Sequence, residues 1–81
     1  MSHDEHKDKL NKKLIRMGNQ IATFFSSQDQ TTASKDVAEH INKFWEPRMR
    51  RDLFDISDKS TDGFHDLLVA ALPSINKPRT E

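Results

Sequence analysis

The sequence of 81 residues has no cysteine, and it contains only two glycines and three prolines. Without cysteine, the chain can form neither disulfide bonds nor thiolate metal sites. The scarcity of glycine excludes a glycine-rich loop of the kind that cradles nucleotide phosphates. The usual covalent and thiolate-metal cross-links of small domains are therefore excluded.

An excess of charge of one sign is also lacking, because 13 basic residues balance 13 acidic residues. Net neutrality argues against nucleic-acid binding, which depends on a basic surface. No apolar run is long enough to span a bilayer, and the polar N-terminus has no signal-peptide core. We therefore expect a cytoplasmic protein that binds neither nucleic acid nor membrane.

Apolar residues are few, at 33% of the chain. A core this small rarely supplies more than about 3–5 kcal/mol without a cross-link. Docking onto a partner raises the population of the folded state, since the partner binds only that state. We therefore expect a protein partner, and we leave open whether the isolated chain forms a homodimer.

Helical periodicity is the main pattern that the sequence contains. Helix 1 is predicted from Glu5 to Ser27, with Gly18 costing about 1 kcal/mol relative to alanine. On its outer face, Asp8 and Lys12 are spaced as an acid–base pair, as are Glu5 and Lys9. Its apolar stripe has spacings of four and three and consists of Leu10, Leu14, Met17, Ile21 and Phe24.

Three further helices are predicted after a polar loop over residues 26–34. Pro47 ends helix 2 and is a favoured first residue of helix 3. Helix 4 begins near Phe64, with Thr61 and Asp62 as candidate caps, and ends before Pro73. The apolar face of helix 2 comprises Val37, Ala38, Ile41, Phe44 and Trp45.

These patterns predict one all-α domain over residues 1–81, built from three or four helices. Helices 1 and 2 form an antiparallel hairpin, and Pro47 defines a corner between helices 2 and 3. Residues 1–4 and 74–81 are predicted to be flexible tails.

No catalytic constellation is recognisable in the sequence. A nucleophile requires an oriented base beside it, whereas the serines here fall in predicted loops or caps. His3 and His6 could form a weak metal site, although a solvated N-terminal turn is the simpler interpretation. His40 and His65 lie next to apolar stripes and are interpreted as helix-surface residues or as hydrogen-bonded residues at the edge of the core. We predict no catalytic, cofactor-binding or metal-binding residue.

The segment from Phe44 to Arg51 contains the single tryptophan and three arginines. Phe44 and Met49 are predicted to fill the core at the corner. Tryptophan and arginine are the residue types most enriched in binding hot spots. The predicted partner contacts in this segment are Trp45, Arg48, Arg50 and Arg51.

A second cluster lies at the end of helix 1. Phe24 and Phe25 are about 100° apart around the helix, so only a broad contact would bury both. We predict that Phe25 contacts the partner, together with the adjacent amides Asn19 and Gln20.

These two segments resemble a known family. The strings from Leu14 to Phe25 and from His40 to Arg50 closely resemble the delta subunit of NAD-dependent formate dehydrogenases, with order and spacing kept. A weaker similarity runs from Gly63 to Leu72. The resemblance implies a cytoplasmic enzyme complex that oxidises formate to CO2 and reduces NAD.

In that family, the alpha subunit carries the molybdenum or tungsten pterin centre and iron–sulfur clusters. The resemblance implies that the delta subunit has no cofactor and supports assembly or stability by binding the catalytic alpha subunit. This chain is therefore expected to be a non-catalytic accessory subunit.

Two alternatives remain at this point. One is a transient assembly chaperone that helps cofactor insertion and then leaves. The other is a small helical DNA-binding protein that uses Arg48, Arg50 and Arg51 on a recognition helix. Pairing of Arg48 with Asp52 and of Arg51 with Asp55 would neutralise much of that charge.

Overall fold

The longest element, α1 (His3–Ser26), carries the predicted apolar stripe. The computed structural model describes residues 3–29 and 31–77, with side chains from residue 8 onward. The predicted ion pair between Lys12 Nζ and Asp8 Oδ2 is present at 3.3 Å. The predicted pair of Glu5 and Lys9 lies outside the described side chains.

A short loop joins α1 to α2 (Ala33–Phe44), and the two helices pack against each other. In this loop, the hydroxyl and backbone N–H of Thr31 donate to Asp29 Oδ1 at 2.7 and 2.9 Å. These bonds favour the charged carboxylate and lower the pKa of Asp29. Thr32 is the N-cap residue of α2, but its side chain makes no capping bond to the backbone.

The third helix, α3 (Pro47–Lys59), begins at the predicted proline. The predicted ion pairs of Arg48 with Asp52 and of Arg51 with Asp55 are not formed. Between described side chains, the ion pairs are Lys12–Asp8 and Lys43–Glu39, both exposed.

Helix α4 (Asp66–Ala71) is shorter than predicted and begins later. Gly63 has a φ of +85°, a left-handed conformation that favours glycine, and it turns the chain before Phe64. The cap is therefore His65, whose Nδ1 accepts a hydrogen bond from the Leu67 N–H at 3.0 Å. The prediction of Thr61 or Asp62 as the cap is wrong. A 3₁₀ turn (Leu72–Ser74) follows α4 directly.

The prediction of a flexible tail from residue 74 is wrong for the described residues 74–77. Ile75 is 4% exposed and belongs to the core. Asn42 accepts from the Asn76 N–H at 2.7 Å and donates to the Ser74 carbonyl at 3.2 Å. Residues 1, 2 and 78–81 of the predicted tails lie outside the described residues, whereas residues 3 and 4 belong to α1.

The core lies where α4 packs against α1 and α2, and α3 covers another side of α1. Its largest fully buried side chains are Ile41, Leu53, Leu68 and Val37. Over the described ranges the structure is helical, with no strand, so the all-α prediction is confirmed. None of these helices is both long and apolar enough to cross a membrane.

Candidate functional site

At the α2–α3 corner, one of two adjacent aromatic side chains is buried and the other is exposed. Trp45 is the residue after α2, in an extended conformation, and only 5% of it is exposed. Phe44, the last residue of α2, is 69% exposed. The prediction that Phe44 fills the core is therefore wrong. Trp45 has little surface left for the partner contact that was predicted for it, because the turn carries its ring into the core.

An exposed cluster of rings, here called the aromatic face, spans α1 and α2. Phe24 packs edge-on against Phe25, with ring centroids 5.0 Å apart. Phe25 lies 6.2 Å from His40, and His40 lies 4.7 Å from Phe44. The two outer rings are the most exposed, since Phe24 is 62% exposed. Apolar patches of this kind mark interaction sites in soluble proteins.

Phe25, the predicted contact, is half-buried and packs against the core. It is an inner member of the aromatic face, and Phe24 offers more surface to a partner. The i,i+4 spacing of His40 and Phe44 places them next to each other on one helix face. This spacing is visible in the sequence, but we did not predict the aromatic face from it.

An open groove of about 380 Å³ adjoins the aromatic face, lined by Met17, Ile21 and the edge of Trp45. Met17 also lines a second groove of about 270 Å³, together with Leu10, Arg48 and Met49. Together the two grooves form what we call the α1 trough. It follows the apolar stripe of α1, in which Leu10 and Phe24 are exposed, Met17 and Ile21 are half-buried and Leu14 is buried.

The adjacent amides of α1 have different roles. Asn19 Nδ2 donates to the Gly63 carbonyl at 2.8 Å, and Asn19 Oδ1 accepts from the His65 N–H at 2.8 Å. Both ends of this amide are therefore used within the chain, to fix the segment that leads into α4. The prediction that Asn19 serves the partner is not supported by this geometry. Gln20 is exposed and lines the groove beside the aromatic face.

The three arginines predicted as partner contacts have different surroundings. Arg50 Nη1 donates to the Asn76 carbonyl at 2.6 Å, and its Nε is buried without a partner among the described atoms. Arg50 thus ties the segment after the 3₁₀ turn to α3. Arg48 and Arg51 are exposed, and Arg48 lines the α1 trough. Contact of these two with a partner stays a prediction.

The titratable residues show no arrangement for metal binding within the described part of the chain. No group of three or more histidine, cysteine, aspartate or glutamate residues is close enough there to hold an ion. His40 lies within α2 as a half-buried member of the aromatic face, and His65 is the hydrogen-bonded N-cap of α4. The side chains of His3 and His6 lie outside the described residues.

The family model of the NADH-dependent formate dehydrogenase delta subunit FdsD matches residues 13–72. This range holds the corner, the aromatic face and most of the α1 trough. No curated protein and no solved structure matches the chain significantly. Because the matched range covers most of the 81 residues, the chain belongs to the family of the NADH-dependent formate dehydrogenase delta subunit.

Proposed function

We propose that this chain is a non-catalytic accessory subunit that binds the catalytic alpha subunit of a cytoplasmic formate dehydrogenase. In this role it supports assembly or stability of the complex and takes no part in the oxidation of formate. The complex, with its metal centre and clusters, carries out the chemistry.

The aromatic face is the observation that carries this proposal. Phe24 and Phe44 are 62% and 69% exposed at its two ends. Removing apolar surface from water contributes about 25 cal/mol per Å², part of which is offset by the cost of association. Aromatic anchors are typical of the centre of an interface. A small chain with a limited core also gains stability from the partner that covers this face.

The test is co-expression of the tagged chain with all subunits of the complex, followed by repeats that each omit one subunit. We expect the tagged chain to be retained in the active enzyme at one copy per alpha subunit. Omission of the alpha subunit should abolish recovery of every other subunit.

Two outcomes would contradict the proposal. Recovery of the remaining subunits without the alpha subunit would show that the chain binds elsewhere. Presence during assembly but absence from the mature, active enzyme would identify a transient chaperone instead.

A further inference from the structure

The α1 trough has the length of a helix-binding groove. Its end residues, Leu10 and Phe24, are separated by about 21 Å along α1, or about four helical turns. Leu10 is 49% exposed, so the trough is open at this end as well as at Phe24. Met17 lies at the midpoint and lines both grooves.

A stripe of basic side chains runs along α1 beside the half of the trough between Leu10 and Met17. Lys9, Lys13 and Arg16 each precede a trough residue by one position, which rotates them by about 100° in the same direction. All three are exposed. We call them the basic stripe. Neither ion pair between described side chains involves any of them.

The opposite wall of the trough is also partly basic. Arg48 lines it beside Met49, and Asp52 contributes one half-buried carboxylate. The charges along the trough are therefore mainly positive. The apolar floor and the basic edge together favour an occupant that has an apolar face and an acidic flank.

We propose that the α1 trough receives an amphipathic helix of the catalytic subunit, about four turns long, with acidic residues along one flank. This inference rests on the proposed function and names the structural element through which binding occurs. The apolar face of the helix fills the trough in the manner of helix-in-groove recognition. Its carboxylates lie opposite the basic stripe.

A second copy of this chain is a poorer occupant. Docked antiparallel by a two-fold axis at Met17, it would set the basic stripe opposite Gln20 and Thr23, which carry no carboxylate. Docked parallel, it would set that stripe against the wall that carries Arg48. The parallel arrangement juxtaposes like charges, which disfavours a partner, and the antiparallel one leaves the basic stripe without opposing carboxylates.

Photocrosslinking in the assembled complex tests the proposal. The photoreactive residue p-benzoyl-phenylalanine replaces Leu10 in one variant and Phe24 in another, with Val69 on α4 as an exposed control position. We expect Leu10 and Phe24 to crosslink to the two ends of one acidic amphipathic helix of the catalytic subunit. The Val69 variant should not link to that helix.

Charge reversal provides a second measurement. Lys13→Glu with Arg16→Glu should weaken binding of the catalytic subunit about tenfold or more, because carboxylates would face carboxylates. The matched control, Lys35→Glu with Lys59→Glu, changes the net charge equally at exposed positions outside the trough. It should bind nearly as well as the unmodified chain.

The results of these experiments distinguish failure of the trough proposal from failure of the proposed function. Retention of the chain in the complex without crosslinks from both trough positions would overturn the trough and leave the accessory role intact. Crosslinks to a second copy, or to a basic or non-helical segment, would overturn it as well. Failure of the unmodified chain to bind the catalytic subunit would refute the proposed function itself.

Discussion

At the scale of single residues, the α2–α3 corner separates a structural aromatic side chain from an exposed one. Trp45→Ala should lower the free energy of unfolding by about 3–5 kcal/mol, because it empties a large buried volume. Phe44→Ala, one position earlier, should change it by less than about 0.5 kcal/mol. Circular dichroism compares both variants, first in buffer, where Trp45→Ala should already be largely unfolded, and then in a urea titration of Phe44→Ala and the unmodified chain. Equal losses would contradict the assignment of Trp45 to the core and Phe44 to the surface.

The amides of α1 provide a second matched pair. Asn19→Ala should cost about 1–3 kcal/mol, because it leaves the half-buried His65 N–H without its acceptor. Gln20→Ala removes an exposed amide and should change the free energy of unfolding by less than about 0.5 kcal/mol. The same denaturation experiment compares them. An Asn19→Ala variant as stable as the unmodified chain would show that water replaces the amide at this site.

At the scale of elements, Gly18 sets the distance between α1 and α4. A β-carbon at this position would lie 2.9 Å from Leu68 Cδ2, and Leu68 is fully buried. Gly18→Val should therefore cost about 1–3 kcal/mol through overpacking, although glycine is itself a poor helix former. Thermal or urea unfolding provides the measurement.

Lys13→Val is the control for this substitution, since it adds the same side chain at an exposed position of α1. At this position only the lower helix propensity of valine should destabilise the fold, by less than about 0.7 kcal/mol. A Gly18→Val variant as stable as the control would show that Leu68 repacks freely.

The elements also show what the sequence alone can predict. The stripe of α1 and the start of α3 at Pro47 follow from local rules of spacing and capping, and both are present. The predicted start of α4 is too early because Phe64 has the helical spacing of Leu67 and Leu68, although the left-handed Gly63 and the extended His65 keep Phe64 outside the helix. The packing of Ile75 depends on the distant side chains Asn42 and Arg50, which no local pattern reveals.

The candidate site was harder to predict for the same reason. Phe44 and Trp45 both fall near the apolar face of helix 2, about 100° apart, so periodicity does not decide which is buried. The turn at the corner places Trp45 in the core and leaves Phe44 exposed. Likewise, only the packed structure shows that Asn19 is used internally and that Phe24 is the more exposed of its pair.

At the scale of the whole molecule, one side of the described domain combines the exposed apolar side chains of Leu10, Phe24 and Phe44 with the positive charges of the basic stripe. The aromatic face and the α1 trough meet at Phe24 and the groove beside it. In a member of the delta subunit family, this side is the surface through which we propose attachment to the catalytic subunit.

The most direct test of that claim is the dissociation constant for the catalytic subunit of the double variant Phe24→Ser/Phe44→Ser. Both side chains are mostly exposed, so the variant should unfold at nearly the same temperature as the unmodified chain. Loss of two aromatic anchors, at about 2 kcal/mol or more each, should weaken binding at least about a hundredfold. Val69→Ser, at an exposed position on α4, should leave the dissociation constant unchanged. An unchanged dissociation constant in the folded double variant would contradict the account.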